Sequence, residues 1–433
     1  MYRPGRKRQL AVTLACWYDS RMSILLVGSG TEISHADLMA GLRRDTGLLL
    51  VEPGPVTWQR RYVEDALEVP PADGEAAVAA ALRLAADHQV TAILTYLEPL
   101  LELAATIAER AGIRGMSRSA AAIVRDKSLQ REALRSALPL PTRSVKVANL
   151  ADARVAAAEI GFPVVIKPRN FSGGLGVHFA VTPELLDEAW RATVATRPRD
   201  VIVPAAGALI EELLVGPHFS VNCWVLDGEA GVLSTSRAWD TDPMSALTGG
   251  WVMGRDLAAE DVLVRIEQAA CQAATACGLN GTIADVELVL MDGEPRVLEV
   301  NGRPAGDQAV RMAALSSGVD LGRALAAVAQ GRRPDQAPPV RRAAGIVFVY
   351  PPKTMDFGAL QLASDLRKAA WLDRWHATAT QGQKVTPPPE DPWGRVGWLL
   401  VSGADAAHAE SRMVAARRGV RVLDHSAATA CAS

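Results

Sequence analysis

The sequence predicts a protein of several α/β and α+β domains, with a Rossmann-like parallel sheet in front and a mixed sheet carrying a polar hairpin behind. Three observations predict this. The 433 residues exceed one compact core of about 100–200 residues. At the front, apolar strand runs alternate with helical periodicities, the order of a parallel sheet with crossovers. From residue 118 onward, short strands and helices mix without that alternation.

Ser23 to Ser29 is continuously apolar up to a glycine turn, as a strand buried on both faces should be. Residues 33–43 read as a helix, Leu48 to Val51 as a strand, Ala76 to Ala86 as a helix, Thr91 to Tyr96 as a strand and Pro99 to Ala111 as a helix. The turn Gly28-Ser29-Gly30-Thr31-Glu32-Ile33 lacks a full dinucleotide fingerprint, so no such site is expected there. This Rossmann-like domain covers residues 22–117, and residues 1–21 read as an extension with a basic tail. A helix is expected over 119–138, strands at 144–147, 164–167, 177–181 and 208–214, and helices at 150–160 and 183–196. Further strands fall within 218–237 and 282–301, around a helix at 258–278. Together they give a second domain over 118–330, with a lid over 141–212. Residues 331–433 read as a Pro- and Arg-rich linker, 331–343, and a small α+β lobe with strands near 344–350 and 396–402.

Apolar residues make up 49% and charged residues 22%, with a net charge of -2, which describes an ordinary globular chain without a basic field. Nucleic acid and membrane are therefore not expected partners, and no run of apolar residues is long enough to span a bilayer. Cysteines at 16, 223, 271, 277 and 431 are odd in number and form no C-x-x-C pair, which fits reduced thiols in a cytoplasm.

Four motifs carry chemistry. Val164-Val165-Ile166-Lys167-Pro168 leads into Ser172-Gly173-Gly174-Leu175-Gly176. Such a loop can close backbone N–H groups on phosphate oxygens beside a fixed lysine, or it is a flexible hairpin. Upstream, Lys127 in Arg125-Asp126-Lys127 can converge on the same phosphates or sit on a solvated helix face. Glu211-Glu212-Leu213-Leu214, before Gly216-Pro217-His218, reads as a hinge whose backbone and carboxylate could meet an adenine edge. An interdomain hinge with exposed acids explains it equally well. The hairpin of Asp285-Val286-Glu287 and Glu299-Val300-Asn301 around Asp292-Gly293 is the strongest signal. With a loop of Asp292-Gly293-Glu294, Glu287 faces Glu299 and Asp285 faces Asn301, whereas a two-residue loop shifts this register. Facing carboxylates repel, and no Lys or Arg alternates on that face, so a divalent cation bound through oxygen is preferred over a solvent-facing polar surface. Arg303 follows in Asn301-Gly302-Arg303-Pro304-Ala305-Gly306-Asp307 and suits a developing oxyanion, though alone it could be a surface arginine.

The order of these motifs resembles the ATP-grasp superfamily, most of all its L-amino acid ligase branch, over residues 22–402. The resemblance implies an ATP-grasp fold with ATP between two α+β lobes. It implies Lys127 and Lys167 on the phosphates, with Ser172, Gly173, Gly174 and Gly176 closing over them. Glu211, Glu212 and Leu214 would border adenine. Glu287, Glu299 and Asn301 would hold Mg2+, which Mn2+ could replace, and Arg303 would be catalytic. Many members carry a ribose-binding glutamate where this chain has His218, whose ring could hydrogen-bond a ribose hydroxyl of ATP. The implied reaction joins a carboxylate, of an amino acid or related small acid, to an amine through an acyl phosphate, with release of ADP and phosphate. Amino acids or short peptides are the implied small-molecule partners, and a homodimer is an allowed assembly.

Ser236 to Met253 is expected to be a loop without regular structure that borders the substrate, or one that packs on its own domain. Arg237, Trp239 and Trp251 are its candidate substrate contacts, joined by Asp307. Two rivals stand beside the ligase. A carboxylase-type subunit activating bicarbonate would need a biotin carrier, and no Met-Lys-Met segment is present. An ATP-binding regulator without turnover would have no use for the hairpin acids and Arg303.

Overall fold

The computed structural model describes residues 22–71, 73–197, 206–241, 247–335, 342–391 and 394–426. The expected extension 1–21, Cys16 and Cys431 lie outside the described residues, as do residues 336–341 of the expected linker and residues 242–246 of the expected substrate loop.

Strands β1 (Ser23–Val27), β2 (Gly47–Pro53), β3 (Asp65–Val69) and β4 (Val90–Leu94) form a parallel sheet of order β3-β2-β1-β4. Helices α1 (Glu32–Leu42) and α2 (Gly74–Asp87) make crossovers, and α3 (Leu101–Ala111) follows β4. The sequence reading missed β3, a short and mostly half-exposed edge strand without a continuous apolar run. Because β1 lies between β2 and β4, the connections diverge at their carboxyl ends, where open sheets place ligands. Glu98 stands there, just past β4.

The helix expected over 119–138 is two helices, α4 (Arg118–Arg125) and α5 (Lys127–Arg135). Asp126 breaks it: its backbone is extended, at φ -128° and ψ 108°, and its carboxylate caps α5 by accepting from Ser128 N at 2.9 Å. The break makes Lys127 the first residue of α5, free to donate its backbone N–H to Arg169 O at 2.9 Å.

Strands β5 (Ser144–Val147), β6 (Val164–Pro168), β7 (His178–Ala180) and β8 (Ala208–Glu212) form an antiparallel sheet of order β5-β8-β6-β7. It is packed by α6 (Leu150–Ile160) and α7 (Pro183–Ala195).

The largest sheet has eight strands. It takes β9 (His218–Leu226), β10 (Glu229–Thr241), β11 (Thr248–Met253), β12 (Thr282–Met291) and β13 (Glu294–Asn301). It also takes β14 (Ala343–Val349), β16 (Leu372–Ala377) and β18 (Gly397–Gly403), in the order β13-β12-β9-β10-β11-β14-β18-β16. The two strands read near 344–350 and 396–402 thus continue the sheet that carries the polar hairpin. Strands β15 (Met355–Leu362), β17 (Lys384–Val385) and β19 (Val420–Asp424) form a small separate sheet.

Helix α8 (Glu260–Ala276) covers one face of the large sheet, and α12 (Ala406–Arg418) packs there on its far strands. Helices α9 (Ala309–Ser316) and α10 (Leu321–Ala329) cover the other face and carry the N-terminal domain. There Gly41 of α1 meets Gly322 of α10 so closely that a Cβ on Gly322 would lie 2.4 Å from Leu38 O. That contact fixes the N-terminal sheet against the lobe holding Arg303. The short helix α11 (Ser364–Arg367) completes the described elements.

Candidate active site

The acidic hairpin reaches its register by a route the sequence reading did not foresee. Met291 pairs with Glu294, so the loop is the two-residue Asp292-Gly293, with both residues at positive φ, 53° and 81°. That loop alone would put Glu287 out of step. A bulge restores the register: Leu288 pairs with Val297, Glu287 with Glu299 and Asp285 with Asn301, leaving Leu298 as the extra residue. The side chain of Arg131 uses the bulge, donating from Nη2 to Leu298 O at 2.6 Å.

Pairing across β12 and β9 adds Asn222, Ser220 and His218 to the face of Asp285 and Glu287. This face also carries Ser236 and Trp251, while Phe219, Val221, Val286 and Leu288 point into the core on α8. The hairpin's own Arg296 is taken by Glu212, and the basic groups beside the acids come from other elements. Lys127 Nζ lies 2.7 Å from Glu299 Oε1, His218 Nε2 3.1 Å from Glu287 Oε2, and Arg303 Nη1 3.5 Å from Asp285 Oδ2. Burial, and then the charge of Glu287, push the Asp285 carboxyl up to about 7 despite Arg303 and a 2.7 Å hydrogen bond from Ser220. Glu287 shifts the other way: burial would raise it, but His218, Arg303 and Lys127 outweigh that and hold it below the ordinary carboxylate value.

Among the described residues no three His, Cys, Asp or Glu side chains form a self-sufficient metal cage. Glu287, Glu299 and Asn301 instead offer a partial set of oxygens, with Glu287 facing Glu299 and Asn301 facing Asp285. That donor set fits a magnesium ion, which completes its shell with water and phosphate oxygens.

Lys127 and Lys167 converge. Lys127 Nζ also donates to Phe171 O at 2.5 Å, at the root of the glycine loop. Gly173 and Gly174 adopt φ of 63° and 74°, which glycine allows without strain, and the turn closes with Leu175 N to Ser172 O at 3.3 Å. Gly176, also at positive φ, leads back into β7. Lys167 is buried, with Nζ 2.6 Å from Glu211 Oε2, and burial lowers its pKa against the pull of Glu211. Glu211 also takes a bidentate pair from Arg131, at 2.7 and 3.1 Å. Burial would raise its pKa, but Arg131 and Lys167 outweigh that and hold it at about 2.

The hinge acids therefore need correcting. Glu211 is committed to Arg131 and Lys167. Glu212, on the opposite face of β8, accepts from Arg143 N at 2.7 Å and pairs with the side chains of Arg143 and Arg296. Neither carboxylate is open to an adenine edge, because a buried carboxylate must be compensated within the fold. Only the backbone of the crossover, where Leu214 lies half-buried, remains for that contact.

The substrate segment also needs correcting. Residues 236–241 and 248–253 are not loop but paired strands, with Ala238 opposite Trp251 and Trp239 opposite Gly250. Alternation then separates the candidates. Trp251 shares the site face and packs edge-on to His218, ring centroids 5.1 Å apart. Arg237 and Trp239 point the other way onto α12, where Arg237 pairs with Glu410 and Arg417 stacks 4.5 Å over Trp239. Asp307 lies beyond Arg303 and pairs with Arg395 at 2.5 Å.

Three polar groups escaped the sequence reading. Glu98 pairs with Arg125 at 2.5 Å and Arg303 at 3.3 Å. Its position at the carboxyl end of a parallel strand was the available signal. Arg131, four residues after Lys127, shares that helix face, a spacing visible in the sequence. Asn222 is fully buried, and its Oδ1 accepts from Ala305 N at 2.8 Å, which ties the Arg303 segment to β9.

Residues 126–336 match the carbamoyl-phosphate synthase L chain, ATP binding domain, and residues 347–423 match the L-amino acid ligase C-terminal domain 2. Alanine–anticapsin ligase of Bacillus subtilis is 27% identical over 233 residues, 50% of this chain and 48% of that one. D-alanine–D-alanine ligase of Stutzerimonas stutzeri is 31% identical over 214 residues, 47% of this chain and 63% of that one. The chain thus spans about half to two-thirds of the length of these curated relatives. The fold is also that of the L-amino acid ligase from Bacillus licheniformis, with TM-score 0.80 at 19% identity over 94% of this chain and 100% of that one. Biotin carboxylase from Campylobacter jejuni superposes less well, with TM-score 0.69 at 18% identity over 93% of this chain and 92% of that one. Among the described residues no single helix is long and apolar enough to cross a membrane. The chain therefore joins a domain matching the ATP-binding domain of the carbamoyl-phosphate synthase L chain to one matching the L-amino acid ligase C-terminal domain 2, on an ATP-grasp fold.

Proposed function

We propose that the protein joins the carboxylate of an amino acid or related small acid to an amine, with ATP as the activating substrate and ADP and phosphate as products. One observation carries the reading: Lys127, Glu299, Glu287, Asp285 and Arg303 meet on one sheet face, beside a glycine loop rooted on Lys127. Facing acids, two lysines and Arg303 suit phosphoryl transfer to a carboxylate followed by acyl transfer.

Lys127 and Lys167 bind the phosphate chain of ATP, and the 172–176 loop closes on it with backbone N–H groups. Glu287, Glu299 and Asn301 would hold magnesium, which when bound offsets charge on the transferring phosphoryl group. The substrate carboxylate takes the γ-phosphoryl group, giving an acyl phosphate and ADP. The amine then attacks the acyl carbon, phosphate leaves, and an amide forms. Arg303 stabilises the oxyanion of that step. Loop closure excludes water, which would otherwise hydrolyse the acyl phosphate. Trp251 borders the substrate beside His218. The C-terminal match favours this reading over a carboxylase subunit. A cytoplasmic location, where ATP is supplied, belongs to the same reading.

The test is ADP release across a matrix of amino acids and short peptides, with product masses. Release that requires both a carboxylate and an amine, with a mass one water below their sum, is the expected result. Glu299→Gln should read background in the same assay. Release that depends on bicarbonate alone, or none with any pair, would sink the ligase reading.

A further inference from the structure

We propose that Glu98 is a positioning residue for Arg303, through which the N-terminal domain sets the plane of the guanidinium at the reacting centre. The inference rests on the catalytic role given to Arg303 above.

Glu98 opens a short turn just after β4, and its side chain is 8% exposed. Its two oxygens are divided. Oε1 takes Arg125 Nη1 at 2.5 Å, and Oε2 faces Arg303 Nη2 at 3.3 Å. Arg125 thus anchors the carboxylate and leaves the second oxygen aimed at Arg303. Burial disfavours the charged carboxylate, but Arg303 and Arg125 outweigh this and keep it ionised.

The other holds on Arg303 differ in kind. Nη1 donates to Pro304 O at 2.9 Å, a contact within its own segment. Nη1 also lies 3.5 Å from Asp285 Oδ2, on the metal hairpin. Both act at the same nitrogen. A planar fork held at one nitrogen can still swing, and a second hold at Nη2 fixes its plane. Glu98 supplies that second hold from another domain, 205 residues away in sequence. The α1–α10 contact through Gly41 and Gly322 makes the support rigid. A bland alternative is that Glu98 only balances the charge of two buried arginines.

The experiment measures ADP release at saturating amino acids, with ATP varied, for wild type, Glu98→Gln, Glu98→Asp and Arg125→Gln. Melting temperatures are taken alongside. Misorienting the arginine should lower kcat of Glu98→Gln by about a hundredfold. The KM for ATP should stay within about twofold, because the lost interaction serves only the transition state. Glu98→Asp keeps the charge but withdraws it by one methylene, and should lose about tenfold in kcat while folding normally. Arg125→Gln releases the anchor but leaves Arg303 its carboxylate, so it should lower kcat by less than Glu98→Gln does, about as Glu98→Asp, while the KM for ATP holds. Wild-type kcat in either Glu98 variant overturns the proposal. A KM for ATP that rises as far as kcat falls also overturns it, since the loss is then not confined to the transition state. A wild-type protein that releases no ADP sinks the ligase reading and this inference together, whereas an active wild type with active Glu98 variants sinks this inference alone.

Discussion

Replacing Glu211 with glutamine keeps the shape of a side chain that is 2% exposed and removes its charge. Arg131 and Lys167 would then face each other, buried, with no carboxylate between them. Two routes give the magnitude. Removing one partner of a buried ion pair costs about 3–5 kcal/mol, because the remaining charge is left uncompensated. Independently, the native carboxyl titrates at about 2 against an ordinary 4.5, and at ~1.36 kcal/mol per pKa unit that difference is worth about 3 kcal/mol. The sign follows from the depressed native pKa. The stabilisation is fully present above pH 4.5 and is lost as pH falls toward 2. Wild type and Glu211→Gln should therefore differ by about 3 kcal/mol at neutral pH, and about 2 kcal/mol of that gap should be gone by pH 3. Urea titrations at a series of pH values, followed by far-UV circular dichroism and tryptophan fluorescence, measure it, coincident curves being the condition for a free energy. A gap below about 1 kcal/mol at neutral pH, or one unchanged down to pH 3, would refute the buried-triad argument. The same variant exposes two cations to a polyanion, so ATP should raise its melting temperature more than that of wild type.

Arg303→Ala should leave ATP affinity by calorimetry near wild type and cut turnover by about a hundredfold or more, since its partner charge develops only during reaction; lost affinity with surviving turnover would make it a ground-state ligand. Trp251→Ala should reorder the accepted amino acids while ATP affinity holds, because the ring shares the site face with His218; an unchanged order with a lowered melting temperature would assign it to packing. Trp239→Ala, on the opposite face under Arg417, should do the reverse.

Local pattern made part of this architecture legible, and the reason is physical. A strand buried on both faces, such as β1, announces itself by a continuous apolar run, and the hairpin by Asp-Gly. Edge strand β3, mostly half-exposed, carries no such run and went unread. The split between α4 and α5 was hidden because Asp126 sits in an otherwise helical pattern, where only its capping hydrogen bond shows that the backbone has left the helix. The substrate segment was misread for a related reason. Gly249 and Gly250 suggest a loop, yet Gly250 is required in the strand, where a Cβ would lie 2.0 Å from Ile346 O. Once those residues are strands, alternation alone moves Trp239 away from the site and leaves Trp251 in it.

Which face a residue occupies is thus set by local periodicity, but its partner is set by how distant elements dock. Glu287 and Glu299 could be placed opposite each other from spacing, although a bulge and a shorter loop had to compensate one another to keep them there. Their neutralisation could not be read in the same way. Lys127 comes from a helix start created by Asp126, and His218 from the strand alongside. The holds on Arg303 divide between the hairpin and the N-terminal sheet. The hinge shows the consequence most sharply. Read locally, Glu211 and Glu212 are adjacent acids free for a ligand; docked, they point to opposite faces of one strand and each meets basic side chains from other elements. A carboxylate buried to 2% exposure in this fold needs compensating charge whether or not a nucleotide arrives. Glu211 therefore serves to hold Lys167 and Arg131 in place, whereas Asp285, Glu287 and Glu299 of the hairpin each meet one basic side chain while Glu287 and Glu299 face each other across the strands.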